Sequence, residues 1–171
     1  MPLRNRIAAR LLCVLLALAP LHPLPAAAPA AVPAGLAAAT SAGIPLTQRG
    51  MAQGVTLITA HSQDGATPDW SGLARSGTTL VVYMGVAKVH DMRSQLLAAG
   101  MAPDTPVAMI ERASLPGQRV CASTLTAIAA DAQAFRLRSP AVLVIGDVAA
   151  CRMFGALDDA AGATIPQRRM A

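Results

Sequence analysis

Thr79-Leu80-Val81-Val82-Tyr83-Met84-Gly85 is the stretch on which the fold turns. Its β-branched and aromatic side chains favour an extended strand over 78–83, which Met84-Gly85 ends. Upstream, residues 55–59 (VTLIT) have the same character and form an earlier strand. The loop between them, 61–76, is polar, carries Gly, Asp and Pro, and holds Trp70 in a short helical turn. It is long enough to let the two strands pair antiparallel. Downstream, residues 89–99 place Val89, Met92, Leu96 and Ala99 on one helical face, closed by Gly100. Two further short strands follow, at 107–110 and 119–122. Thr124 opens a helix carrying Leu125, Ile128, Ala129 and Ala132, and 141–145 is a continuous apolar strand closed by Gly146.

Ahead of the first strand, residues 34–42 are alanine-rich and read as a helix. Pro33 suits its first turn, Gly43 suits its end, and Pro45 forces an extended exit. Strands and helices alternating in this manner predict an α/β fold. The expectation is a single domain with a mixed, about five-stranded sheet and flanking helices, with 43–150 as its compact body. No internal repeat is visible.

At 171 residues, one domain with one core is expected. The apolar share is 54%, much of it alanine, and aromatics are only 2%. The core must therefore be built from Leu, Val, Ile, Ala and Met. A single-strand nucleic-acid binder, which needs exposed rings for stacking, is argued against. The formal charge of +5 points the same way, because Arg4, Arg6, Arg10, Arg168 and Arg169 account for the excess. No basic stripe runs through the interior. Cys13, Cys121 and Cys151 form no CxxC pair, and His22, His61 and His90 are scattered, so no metal site is expected. A Cys121–Cys151 disulfide and a pair of small buried hydrophobes both fit the sequence.

Residues 1–31 begin with three arginines, continue through an apolar run at 11–18, and reach small residues at Ala26, Ala27 and Ala28. That is the pattern of an export signal. The run is too short and too interrupted, by Pro20 and Pro23, to span a membrane. A translated upstream region biased to Ala, Arg and Pro, or a decayed remnant of another domain, has the same appearance. Residues 32–150 then form the domain, and 151–171 lack periodicity and read as a disordered tail.

Gly43-Ile44-Pro45-Leu46-Thr47, the strand from Val55 to His61, Asp69-Trp70, Thr79 to Gly85, Thr105-Pro106-Val107-Ala108, Gln118-Arg119-Val120 and Ala141 to Gly146 stand in a telling order and spacing. From about Val32 to Val148 the chain resembles the C-terminal half of the uroporphyrinogen-III C-methyltransferases, of the tetrapyrrole methylases. The resemblance implies S-adenosyl-L-methionine-dependent methyl transfer to uroporphyrinogen III, on the route to sirohaem and cobalamin, in the cytoplasm. It also implies a dimer, with the cofactor held between two α/β domains.

Carried over by position, the resemblance makes Met84 a cofactor contact, where a polarizable thioether packs well on an adenine face. Ala113 stands where the family has glycine, and its methyl can obstruct a close approach. Ala34 keeps the small member of a Thr-Ala pair, whereas Pro33 loses the hydroxyl and a backbone donor. Arg49, His61 and Arg119 become candidate contacts for a polycarboxylate substrate. Gln48 replaces the family's usual histidine and Gly50 its acidic residue. No catalytic residue is identified.

The family's N-terminal domain brings a Gly-rich loop and a Gly-Gly-Asp segment, and 1–31 contain neither. One wall of a cleft gives little positioning. The expectation is thus a truncated methyltransferase, inactive alone, that a separate chain could complement. The alternative is an exported, non-enzymatic interaction module or a gene-fragment relic, whose uncovered surface would serve as a binding face. A processed N-terminus near Ala28 would favour that alternative.

Overall fold

The structure is a computed structural model that describes residues 32–61 and 66–151. The leader read at 1–31 and all but the first residue of the tail lie outside them. The described chain contains helix α1 (Ala34–Ser41), strand β1 (Val55–Thr59), helix α2 (Trp70–Ala74), strand β2 (Thr79–Tyr83) and helix α3 (Val89–Ala98). Strands β3 (Pro106–Glu111) and β4 (Arg119–Thr124), helix α4 (Ile128–Ala134) and strand β5 (Ala141–Ile145) complete it. The strands form one sheet in the order β1-β2-β5-β3-β4.

The pairing of β1 with β2 corrects the antiparallel expectation: they run parallel, from Val55 opposite Thr79 to Thr59 opposite Tyr83. A parallel pair needs a connection that returns to the starting end of the sheet. Helix α2 lies on that connection. Asp69 caps that helix by accepting the Gly72 N–H at 3.0 Å, and Trp70 buries its ring in the core. The sheet is still mixed, because β5 lies antiparallel to both β2 and β3.

Alternation along the strands sorts the core into two layers. Leu80, Val82, Val107, Met109, Leu143 and Ile145 face α2, α3 and α4, meeting Trp70, Met92, Leu96 and Ile128. Val81, Ala108, Ile110, Val142 and Val144 face the other way, toward Ala38 and Ala39 of α1 and Ile44 beyond it. Strands covered on both faces read as unbroken apolar runs, which explains the character of β2 and β5.

Helix α1 sits close to the sheet because it is made of small residues. A Cβ on Gly35 would fall 2.6 Å from both the Tyr83 hydroxyl and Val81 Cγ1, so only glycine fits there. The Gly35 N–H donates to Tyr83 Oη at 2.8 Å. At the other end Gly43 adopts φ 68° and Ile44 N–H returns to Ala39 C=O at 2.9 Å, a left-handed helix stop.

Helix α4 starts later than the sequence suggests. Thr124 still belongs to β4, and Leu125 N–H and Thr126 N–H donate to Thr105 C=O and Pro103 C=O at 2.8 and 3.0 Å. These bonds prolong the β3–β4 association and hold the backbone out of a helix until Ile128. Cys121 and Cys151 are free, half-buried thiols, so the disulfide alternative is not realised. Burial, and then the Asp131 charge, pushes the Cys121 thiol up. Among the described residues no cluster of His, Cys, Asp and Glu is arranged to hold a metal, and no helix is long and apolar enough to cross a membrane.

Candidate functional site

Three chain reversals meet at one end of the sheet, where β2 and β3 finish and β5 begins. At the end of β2, Met84 turns to φ 53° and the residue is 65% exposed. The chain then dives back against the core: a Cβ on Gly85 would lie 2.7 Å from Leu143 Cδ1. At the end of β3, Arg112 and Ser114 adopt φ 52° and 63°. Their turn is closed by the Leu115 N–H to Arg112 C=O at 3.1 Å, and the Gln118 amide oxygen accepts the Ser114 N–H at 2.7 Å. Gln118 also donates to Ser41 C=O at 3.1 Å, tying the turn to the last residue of α1. At the start of β5, Pro140 C=O accepts the Arg112 N–H at 2.9 Å.

These reversals and the start of α1 enclose an open groove of about 440 Å³. Ala34 and Ala37 form one side, Tyr83 and Met84 another, and Arg112 to Leu115 a third, with Ile110, Val142 and 139–141 between them. Of the four non-glycine residues with left-handed backbone among the described residues, three (Met84, Arg112 and Ser114) line this groove. Each such residue costs about 1–2 kcal/mol. Strain of this kind persists only where the surroundings over-determine it, and it concentrates at functional sites.

The described lining residues are mostly small or aliphatic, joined by the Met84 thioether, the Tyr83 phenol, Ser114, Ser139 and Arg112. Small side chains let a flat ring system come close, and a thioether adapts to its face. Among the described residues Arg112 is the one charged residue in the lining, with no carboxylate or imidazole beside it. Among the described residues the lining holds no acid–base pair.

The three cofactor residues expected from sequence, Ala34, Met84 and Ala113, all line this groove. The methyl of Ala113 packs partly against the α1 layer of the core and forms part of the wall. The three substrate residues are not brought together. His61 is exposed just past β1, at the same end of the sheet as Met84 but outside the lining. Arg49 is exposed in a turn closed by two bonds between Gln48 and Ala52, which leads into the far end of β1. Arg119 lies on the α4 face of the sheet. It donates to Glu111 through Nη2 at 2.8 Å and Nε at 3.3 Å, and its guanidinium stacks 4.2 Å from the centre of the Phe135 ring. That bond, joined by the Arg138 backbone N–H at 2.9 Å, holds the Glu111 carboxyl below the usual carboxylate range although burial pulls the other way.

Tyr83, Arg112 and Ser114 also belong to the groove, beyond the residues expected there. Pro116-Gly117 signals a turn near them, but nothing in the sequence marks a left-handed backbone at Arg112 or Ser114.

The family model of the tetrapyrrole (corrin/porphyrin) methylases matches residues 14–129, beginning within the segment read as a leader. The uroporphyrinogen-III C-methyltransferase of Pseudomonas fluorescens is 63% identical over 118 residues, 69% of this chain and 48% of that protein. Its namesake in Pseudomonas aeruginosa is 60% identical over 117 residues, 68% of this chain and 48% of that protein. The structure of the uroporphyrin-III C-methyltransferase from Thermus thermophilus complexed with S-adenosyl homocysteine superposes with a TM-score of 0.61 at 31% identity, covering 89% of this chain and 63% of that one. The chain spans about half the length of the curated relatives it matches. With the fold, the groove and these matches in agreement, the chain belongs to the tetrapyrrole (corrin/porphyrin) methylase family.

Proposed function

We propose that the groove is a half-site for S-adenosylmethionine and its product S-adenosylhomocysteine, serving methyl transfer to uroporphyrinogen III. One observation carries the reading: Ala34, Met84 and Ala113, from three separate elements, meet on one groove whose backbone is strained at Met84. The residues present fit the group. The Met84 thioether and the methyls of Ala34, Ala37 and Ala113 suit a purine and ribose, and Arg112 is available to a carboxylate.

When bound, the cofactor supplies an activated methyl group. This chain's residues hold and orient it: α1 is locked to the sheet by the Gly35–Tyr83 bond, and the 112–115 turn is locked by Gln118. Methyl transfer of this kind is governed by placement of two carbon centres. The described residues form one wall, and turnover needs a facing wall from elsewhere in the protein or from a second chain. On this reading the protein works in the cytoplasm, with its tetrapyrrole substrate.

Titration calorimetry of S-adenosylhomocysteine into the full chain tests the proposal. Binding in the micromolar range, about −6 to −8 kcal/mol, is expected, and Ala37→Trp, which fills the groove, should abolish it. No heat at two temperatures and no shift in melting temperature would sink the reading.

A further inference from the structure

We propose that Glu111 is a positioning residue: from the face of the sheet opposite the groove, it holds in register the two chain segments that make the groove's floor. The inference rests on the half-site reading for its ligand, but its geometry stands apart from it. Glu111 is the last residue of β3 and is 5% exposed. Oε2 accepts from Arg119 Nη2 and from the backbone N–H of Arg138, and Oε1 accepts from Arg119 Nε. Arg119 also donates to Phe135 C=O at 3.3 Å while stacking on that residue's ring. The carboxylate and its arginine thus fasten β3, β4 and the 135–138 segment together.

Both fastened segments run directly into the groove. The residue after Glu111 is Arg112, first of the left-handed turn, and two residues beyond Arg138 comes Pro140. Arg112 N–H and Pro140 C=O then bond directly. A left-handed arginine is unfavourable alone and needs its neighbours to impose it. The Glu111 clamp stands immediately before it in the chain. A buried carboxylate is a poor choice for stability alone, since apolar residues of similar volume often serve as well. A two-pronged carboxylate–arginine pair adds what they lack, a fixed geometry.

Glu111→Gln in the full chain keeps the shape and removes the charge. Amide exchange followed by NMR should quicken about tenfold at Arg112 and Leu115 while Val82 and Leu143 hold their protection, as a local opening does. Affinity for S-adenosylhomocysteine should fall about tenfold, and Arg119→Lys, which keeps the cation without the fork, should retain part of it. If exchange at Arg112 and Leu115 is unchanged, or rises only in step with Val82 and Leu143, the clamp is ordinary stabilisation and the proposal fails. It fails equally if the turn loosens while affinity stays the same. If the turn loosens and the unmodified chain binds no S-adenosylhomocysteine, positioning by Glu111 stands and the cofactor reading falls.

Discussion

The two faces of the sheet are built on opposite plans. Under α2, α3 and α4 the core is made of Trp70, Met92, Leu96, Ile128 and their strand partners, large side chains that fill the layer. Under α1 the helix contributes only Gly35, Ala38 and Ala39, and the layer opens at one end into the groove. Large residues suit a face whose task is stability. Small ones bring a helix near the sheet and leave an open groove at its end. Strain obeys the same division, since three of the four left-handed non-glycine residues among those described line the open end.

The largest effect is expected on the face covered by α2, α3 and α4. Leu96→Ala should cost about 2–5 kcal/mol, read as a lower denaturation midpoint, and should leave groove affinity unchanged wherever the chain is folded. Gly35→Ala comes next. Its methyl would collide with Tyr83 and Val81, an overpacking cost of about 1–3 kcal/mol, and would displace α1 from the groove, so stability and affinity should fall together. An affinity loss after Leu96→Ala equal to that after Gly35→Ala would erase the distinction between the faces.

A smaller change separates stability from use. Met84→Gly relieves the φ of 53°, and after the flexibility that glycine adds to the unfolded chain, a gain of about 0.5–1 kcal/mol is expected. Affinity for S-adenosylhomocysteine should drop several-fold with the thioether gone. A variant that is both less stable and equally tight in binding would mean that Met84 is held for packing.

The smallest effect is one of pH. The Glu111 carboxyl is held below its unfolded-state value, chiefly by its bond to Arg119. In the window between the two values the unfolded chain binds more protons than the folded one, so stability rises with pH there. The contribution is complete above the ordinary carboxylate range and is lost as pH falls through the lowered value. The half-exposed position of Arg119 keeps it modest through solvent screening. Denaturation midpoints measured from neutral to acid pH should fall less steeply for Glu111→Gln than for the parent chain.

Much of this arrangement was legible in the chain itself. The β-branched run at 55–59 and the apolar runs at 79–83 and 141–145 mark strands, and the family resemblance, not its position alone, points to Met84. The direction of β1 against β2 was not legible, because a polar loop gives no measure of whether a one-turn helix such as α2 carries the chain back across the sheet. Arg119 stands apart from the groove for a related reason. Its partner Glu111 sits directly across the β3–β4 pair, and strand alternation sends both side chains to the face away from the groove. Tyr83 and Gly35, 48 positions apart, meet only once the sheet and α1 are assembled.

Trp70 and Tyr83 are the only tryptophan and the only tyrosine of the chain, and they fall on opposite sides of the sheet. Each layer therefore carries its own chromophore. The indole reports on the layer under α2, α3 and α4, and the phenol, bonded to Gly35, reports on the seat of α1 beside the groove. A ligand entering the groove should change the tyrosine signal and leave the tryptophan signal still, so the molecule can be watched at both faces without a label.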